Sequence, residues 1–235
     1  MINYFTFDGV NSRDFGVYIS GTNIFNAPER SIDRITVPGR NGTLTIDNKR
    51  FENVELIYPA FIVQDIHENT EGLRNHLLKS AGYRRLEDTY NPDVFFMARY
   101  VSGLAFTPTQ KLWEANFNIK FDRMPQRFLK TGELPVEFTA DGSIQNPTAF
   151  DAKPLIRVYG TGALGIGTET ITISTNPGYI DIDCSMMDAY YGSTNCNDKI
   201  TLSSGSFPVL KPGSTGIDLS TNITKVIITP NWWII

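Results

Sequence analysis

Four stretches of this chain alternate polar with apolar residues: Thr43-Leu44-Thr45-Ile46, Asn116-Phe117-Asn118-Ile119-Lys120-Phe121, Thr170-Ile171-Thr172-Ile173 and Tyr179-Ile180-Asp181-Ile182-Asp183. A period of two sends successive side chains to opposite faces, so each stretch reads as a β-strand with one face on a core and the other toward water or a partner. Half-buried antiparallel sheets are built this way. Between two such stretches lies Val37-Pro38-Gly39-Arg40-Asn41-Gly42. Its Asn-Gly step tolerates the positive φ of a tight turn, which predicts a hairpin tip. One segment has a helical period instead. Leu73, Leu77 and Leu78 recur at that spacing, Asn69 can cap the N-terminus, Glu71 suits the first turn and Gly82 can stop the helix, giving a helix at about 69–82. The expected fold class is therefore mainly β with one α-helix.

At 235 residues the chain fits one large β domain or two of ordinary size. Charge density favours two. Residues 1–130 carry 16 basic and 15 acidic side chains, whereas residues 131–235 carry 5 and 10. The break predicts an N-terminal domain over 1–130, a linker over 131–147 containing Thr131-Gly132, Asp141-Gly142 and Asn146-Pro147, and a C-terminal domain over 148–235. A net charge of −4 argues against a nucleic-acid binder, which gathers a basic excess. No run of about 18 apolar residues is present, so no membrane insertion is expected. The start Met1-Ile2-Asn3-Tyr4-Phe5 lacks the pattern of a secretory signal, and a cytosolic birthplace is expected.

Several motifs could carry chemistry. Gly160-Thr161-Gly162-Ala163-Leu164-Gly165 matches the dinucleotide-binding pattern, but Thr168-Glu169-Thr170-Ile171-Thr172-Ile173 after it alternates like a strand, and pyrophosphate binding needs a helix N-terminus. The expectation is a glycine-rich hairpin turn and no cofactor. Asp181 and Asp183 share a strand face and could hold a cation or act as acid and base; the competing reading is a solvated sandwich face. His67 and His76 are too far apart in sequence for a helical metal pair, and no G-x-S-x-G turn accompanies them. No enzyme and no metal site are expected. Cys184 and Cys196 could close a loop, though cytosolic synthesis favours free thiols. The end Pro230-Asn231-Trp232-Trp233-Ile234-Ile235 reads as a sugar platform or, better, as a core or interface strand.

The order of particular residues goes further. Phe7-Asp8-Gly9-Val10-Asn11-Ser12-Arg13-Asp14-Phe15-Gly16-Val17, then Val37 to Gly42, then Leu73-Arg74-Asn75-His76-Leu77-Leu78 with Tyr83-Arg84-Arg85-Leu86 and Asp88, closely resembles the distal tail (Dit) proteins of long, non-contractile-tailed phages. Pro154-Leu155-Ile156-Arg157-Val158-Tyr159-Gly160, Ile180 to Asp183, Phe207-Pro208-Val209-Leu210-Lys211-Pro212-Gly213 and the Trp-rich end resemble that family's second domain. The resemblance implies an N-terminal β-sandwich with one helix that closes a homohexameric ring, and a peripheral galectin-like β-sandwich. It also implies a place in the virion tail, assembled in the host cytoplasm. There the ring extends the tail tube, joins the tail tip protein, acts as baseplate hub for receptor-binding or other baseplate proteins, and leaves a channel for DNA. The chain lacks the insertions that form arms or extra sugar modules in longer relatives. Pro38, Gly39, Arg40, Asn41 and Gly42 are the expected interaction residues. A carbohydrate-binding adhesin recognising cell-wall glycan is the alternative from another class, and a glycosidase, which needs two converging carboxylates, is the third.

Overall fold

A computed structural model describes residues 2–21, 25–63, 65–108 and 114–235. The chain divides into two compact units, Met1–Arg127 and Phe128–Ile234. The division falls inside the strand Glu114–Leu129. Residues 131–147 are not the expected linker. Lys130–Glu133 forms a 3-10 turn, Val136–Phe138 pairs with Ile223–Thr229, and Gly142–Asn146 pairs with Gly213–Leu219. The small and turn-forming residues in this stretch serve turns between paired strands. Gly132 lies so close to the backbone of Trp232 that a Cβ there would collide with its amide nitrogen.

The first unit is built on a sheet whose path runs through Val10–Asn11, Phe5–Phe7, Arg84–Asp88, Val94–Tyr100, Glu114–Leu129, Val54–Val63 and Val17–Ile19. Strict alternation along the two longest strands buries Phe117, Ile119 and Phe121 on one and Leu56, Tyr58 and Ile62 on the other. Their rings meet Phe5 and Phe7, with Phe5 stacked on Tyr58 at 5.9 Å and Phe7 tilted against Phe121 at 5.0 Å. The one polar atom on Tyr58 is satisfied: its hydroxyl donates to Asp88 at 2.6 Å, and Asp88 also accepts from the backbone of Tyr90 and Asn91. A buried hydroxyl without such a partner would carry its full desolvation penalty.

The helix spans Ile66–Leu78, starting earlier and ending earlier than the spacing predicts. Asn69 is not the cap. Its backbone N–H donates to Asp65 at 3.0 Å inside the first turn, and the Thr70 hydroxyl donates back to the Ile66 carbonyl at 2.6 Å. The buried stripe is Leu73, His76 and Leu77, while Leu78 is exposed. His76 joins the core because its Nε2–H donates to the Phe7 carbonyl at 2.8 Å between the rings of Phe7 and Phe15.

The second unit is a two-sheet β-sandwich. One sheet runs Val136–Phe138, Ile223–Thr229, Leu155–Gly160, Ile180–Asp183, Asp188–Tyr191 and Thr194–Asn195; the other runs Gly142–Asn146, Gly213–Leu219, Gly162–Ile166, Glu169–Ile173 and Ile200–Leu202. Ile156, Val158, Ile171, Ile180, Ile182 and Ile228 fill the space between them. Gly160 to Gly165 is neither a phosphate loop nor the expected hairpin turn. Gly160 ends a strand of the first sheet and Gly162 begins one of the second, with φ of 98° and 120°, so the segment is a corner where the chain changes sheets.

Candidate interaction site

The alternating stretch at Thr43 has no core to face. Among the described residues, Arg30–Thr36 and Thr43–Phe51 pair only with each other, as a two-stranded antiparallel arm. Ile35 opposes Leu44, and Asp33 opposes Ile46. These pairs share one face with Val37, so a single side of the ribbon gathers four large aliphatics that are 45, 38, 43 and 46% exposed at Ile35, Val37, Leu44 and Ile46. The other side is polar apart from the half-buried Ile32. Arg30 contacts Asp47 at 2.6 Å, and Asp47 accepts the Lys49 backbone N–H at 2.8 Å. That backbone bond, followed by Arg30, holds the Asp47 carboxyl below its usual range.

At the tip, the Arg40 N–H donates to the Val37 carbonyl at 3.2 Å across Pro38 and Gly39, and Gly39 has φ of 79°. This is the pattern of a type II turn, with Pro at the second position and a positive φ at the third. The Asn41-Gly42 step is therefore not the reversal itself; Gly42, with φ of 81°, returns the chain to the strand. Pro38, Gly39, Arg40, Asn41 and Gly42 are all exposed. Over residues 30–51 the arm carries five basic side chains, Arg30, Arg34, Arg40, Lys49 and Arg50, against Asp33 and Asp47. It is a basic ribbon with an uncovered apolar side.

The remaining motifs fall into structural roles. Asp181 is buried, not solvated: Arg157 opposes it across the sheet and donates to its two oxygens at 2.7 and 2.8 Å. Asp183 has different partners and accepts the backbone N–H groups of Ser185 and Met186. The two carboxylates do not converge. Cys184 and Cys196 are both buried and free. Ile182 pairs with Ala189, whose carbonyl accepts the Cys196 N–H, so a whole strand separates the two cysteines. Two strand spacings are about 9.5 Å, beyond the roughly 7 Å that a disulfide spans between Cα atoms. Trp232 is in the core, and Trp233 stacks on Phe150 at 4.4 Å while donating from Nε1 to the Asp151 carbonyl. The Trp-rich end is packing, not a sugar platform.

A cavity of about 450 Å³ opens in the second unit beside Phe207 and Lys211. Its lining holds one carboxylate, Glu169, which accepts from the Ser203 hydroxyl at 3.2 Å. Glycoside hydrolysis uses two. Among the described residues no group of three His, Cys, Asp or Glu side chains is arranged to hold a metal, and no helix is long and apolar enough to cross a membrane.

No family model and no curated protein matches the chain. Solved structures do match in fold. The Dit (gp 19.1) protein of phage SPP1, described as a paradigm of the hub adsorption apparatus in Gram-positive-infecting phages, superposes with a TM-score of 0.75 at 15% identity over 100% of both chains. A chain of the phage P2 baseplate in its activated conformation with Ca gives 0.53 at 10% identity over 97% of each chain. The phage p2 baseplate in its activated conformation with Sr gives 0.51 at 11% identity, covering 99% of this chain and 100% of that one.

Proposed function

We propose that this chain is a structural distal tail protein of a phage or phage-derived tail. In this reading six copies close a ring that extends the tail tube, joins it to the tail tip protein and serves as baseplate hub, with a channel for DNA. The observation that carries the reading is the match of both units to a phage hub protein at a TM-score of 0.75, covering 100% of each chain. No cofactor enters it, since the work is assembly.

The arm supplies the means. A lone two-stranded ribbon is marginally stable in water, and one with a bare aliphatic side gains most by lying on another surface. A second copy of this chain is the partner a ring supplies, and its residues 1–130 offer 15 acidic side chains to the basic arm. Head-to-tail repetition of that contact closes a ring when the rotation allows and covers strand edges that would otherwise pair wrongly. Arg40 at the tip would read carboxylates or carbonyls with its planar fork.

Native mass measurement of the purified protein tests this, alone and with a tube protein. A species of six times the 26.3 kDa chain is expected. Leu44→Ser with Ile46→Ser should leave the monomer folded, because neither side chain touches a core, and should abolish that species; Arg40→Ala should weaken it. A monomeric mass at every concentration, with no ring in tail particles, would reject the hub reading. Normal assembly of the arm variants would reject the arm's part in it.

A further inference from the structure

The tip of the arm contains one step of chain that neither the turn nor the ladder uses. Pro38 and Gly39 make the reversal, and the ladder ends at the pair Thr36 and Thr43. Arg40, Asn41 and Gly42 lie between the two and are exposed. Among the described residues neither the Asn41 side chain nor the Gly42 N–H makes a hydrogen bond. The space around Gly42 is open, with nothing beyond its chain neighbours within 4 Å of where a Cβ would stand. An unbonded side-chain amide is thus followed by an unbonded backbone nitrogen, on a residue with no side chain to hinder their approach.

Asn41-Gly42 is the one Asn-Gly step in the sequence. Other asparagines are held away from the chemistry such a step allows. Asn91, Asn146 and Asn176 precede proline, which has no N–H. Asn11 accepts the Arg13 N–H at 3.0 Å through Oδ1, ahead of the buried Ser12. Asn48, on the same arm, gives the sharpest contrast. Its Nδ2 donates to the Ser31 hydroxyl at 3.4 Å, and the N–H of the next residue, Lys49, is held by Asp47 at 2.8 Å.

We propose that Asn41 is a site of spontaneous deamidation, by which the arm changes its own charge. The Gly42 nitrogen, on losing its proton, bonds to Asn41 Cγ; the Cγ–Nδ2 bond breaks, and ammonia leaves with a proton. One water then opens the five-membered imide at either carbonyl, giving aspartate or isoaspartate. No oxidant and no metal enter. The product places a carboxylate beside Arg40, so an arm with five basic and two acidic side chains comes to carry five and three. A guanidinium paired to its neighbour is no longer offered to a partner. Isoaspartate also lengthens the backbone by one methylene between the turn and the first ladder pair. The reaction needs only an exposed arm, so it stands whether or not that arm closes a ring.

The test is peptide mapping of the full chain after incubation at neutral and at mildly alkaline pH. Trypsin, cutting after Arg40 and Lys49, releases Asn41 and Asn48 in one peptide, and fragmentation tells them apart. Asn41 should gain about 1 Da roughly tenfold faster than Asn48 or more, and an isoaspartyl methyltransferase should label the product. The rate should rise with pH, because the Gly42 amide must lose its proton. Gly42→Ala should convert about tenfold more slowly. Asn41→Gln, whose ring closure would need six members, should show no gain at that position. Equal rates at Asn41 and Asn48, an Asn41 that stays intact while Asn48 converts, or an unchanged rate in Gly42→Ala would overturn the proposal. Ring assembly is read separately, by native mass, so the hub reading and this site stand or fall on different measurements.

Discussion

Cys184 shows how far environment alone sets the behaviour of a reactive group. Burial first, and then the neighbouring Asp183, push its thiol up from 9.0 to about 12. A thiol kept protonated is neither a nucleophile nor a metal ligand, so its place in the core decides its chemistry. The linkage has a definite sign. Above the ordinary thiol range the unfolded chain has released this proton and the folded chain still holds it, so the unfolded state binds fewer protons and stability falls as pH rises toward 12. Thiol titration at pH 8 should count no fast-reacting cysteine in the native protein and two after unfolding. In denaturant melts the loss of stability above pH 9 should be smaller in Cys184→Ala than in the parent, after allowance for the cavity. A fast-reacting native thiol would show that the core at Cys184 opens. Asp181 makes the complementary point: a carboxylate that looks solvated in sequence is buried because Arg157 stands opposite it in the register, a pairing set by strands 24 residues apart.

Elements were legible where a local period met a local core. Asn116 to Phe121, Thr170 to Ile173 and Tyr179 to Asp183 bury their apolar faces as their alternation predicts. The Thr43 stretch has the same alternation and no core, since a period says which residues share a face but not what covers it; that failure is what identifies the arm. The helix starts before its expected cap because Asn69, a good N-cap by type, lies inside the first turn with its N–H bonded to the Asp65 carbonyl. The corner at Gly160 reads as a hairpin in sequence because a positive φ serves either purpose. Its glycine is required by space as well as by φ: a Cβ at Gly160 would collide with the Asn222 carbonyl oxygen, in the turn that leads into Ile223–Thr229. Gly160→Val should therefore destabilise the second unit by about 2–3 kcal/mol, from strain at a glycine-only conformation and displacement of backbone. Gly205→Ala, at φ of 74° with open space around it, should lose less. Equal losses for the two in urea melts would mean that φ alone sets the requirement.

At the scale of the whole molecule the two units ask to be tested separately, since each has its own core. A chain ending after Lys130 keeps the strand Glu114–Leu129 and the whole arm and should still form rings; loss of all assembly in a folded truncation would assign ring closure to the second unit instead. The last consequence concerns what passes through such a ring. A conduit that gripped phosphates would release counterions and retain DNA strongly, so the proposed channel should be neutral or mildly acidic. The charges of the first unit are arranged in keeping with that. Arg85 bonds Glu87 at 2.6 Å, Arg84 lies 3.8 Å from Asp8, Arg99 bonds Asp122 at 2.8 Å, and Lys120 lies 3.9 Å from Glu55. Arg123 is withdrawn altogether, 2% exposed and donating to the carbonyls of Met124, Pro125 and Asn26. The densest basic step outside the arm, Arg84-Arg85, is thus paired side by side with acids and forms no phosphate track. The assembled ring should bind duplex DNA more weakly than about 10 μM near 150 mM salt, with a shallow dependence of log K on log[salt]. Binding on the order of 1 μM or tighter with a steep salt slope, together with a basic lumen in the ring structure, would show that the channel holds its cargo and would end the passive-conduit reading.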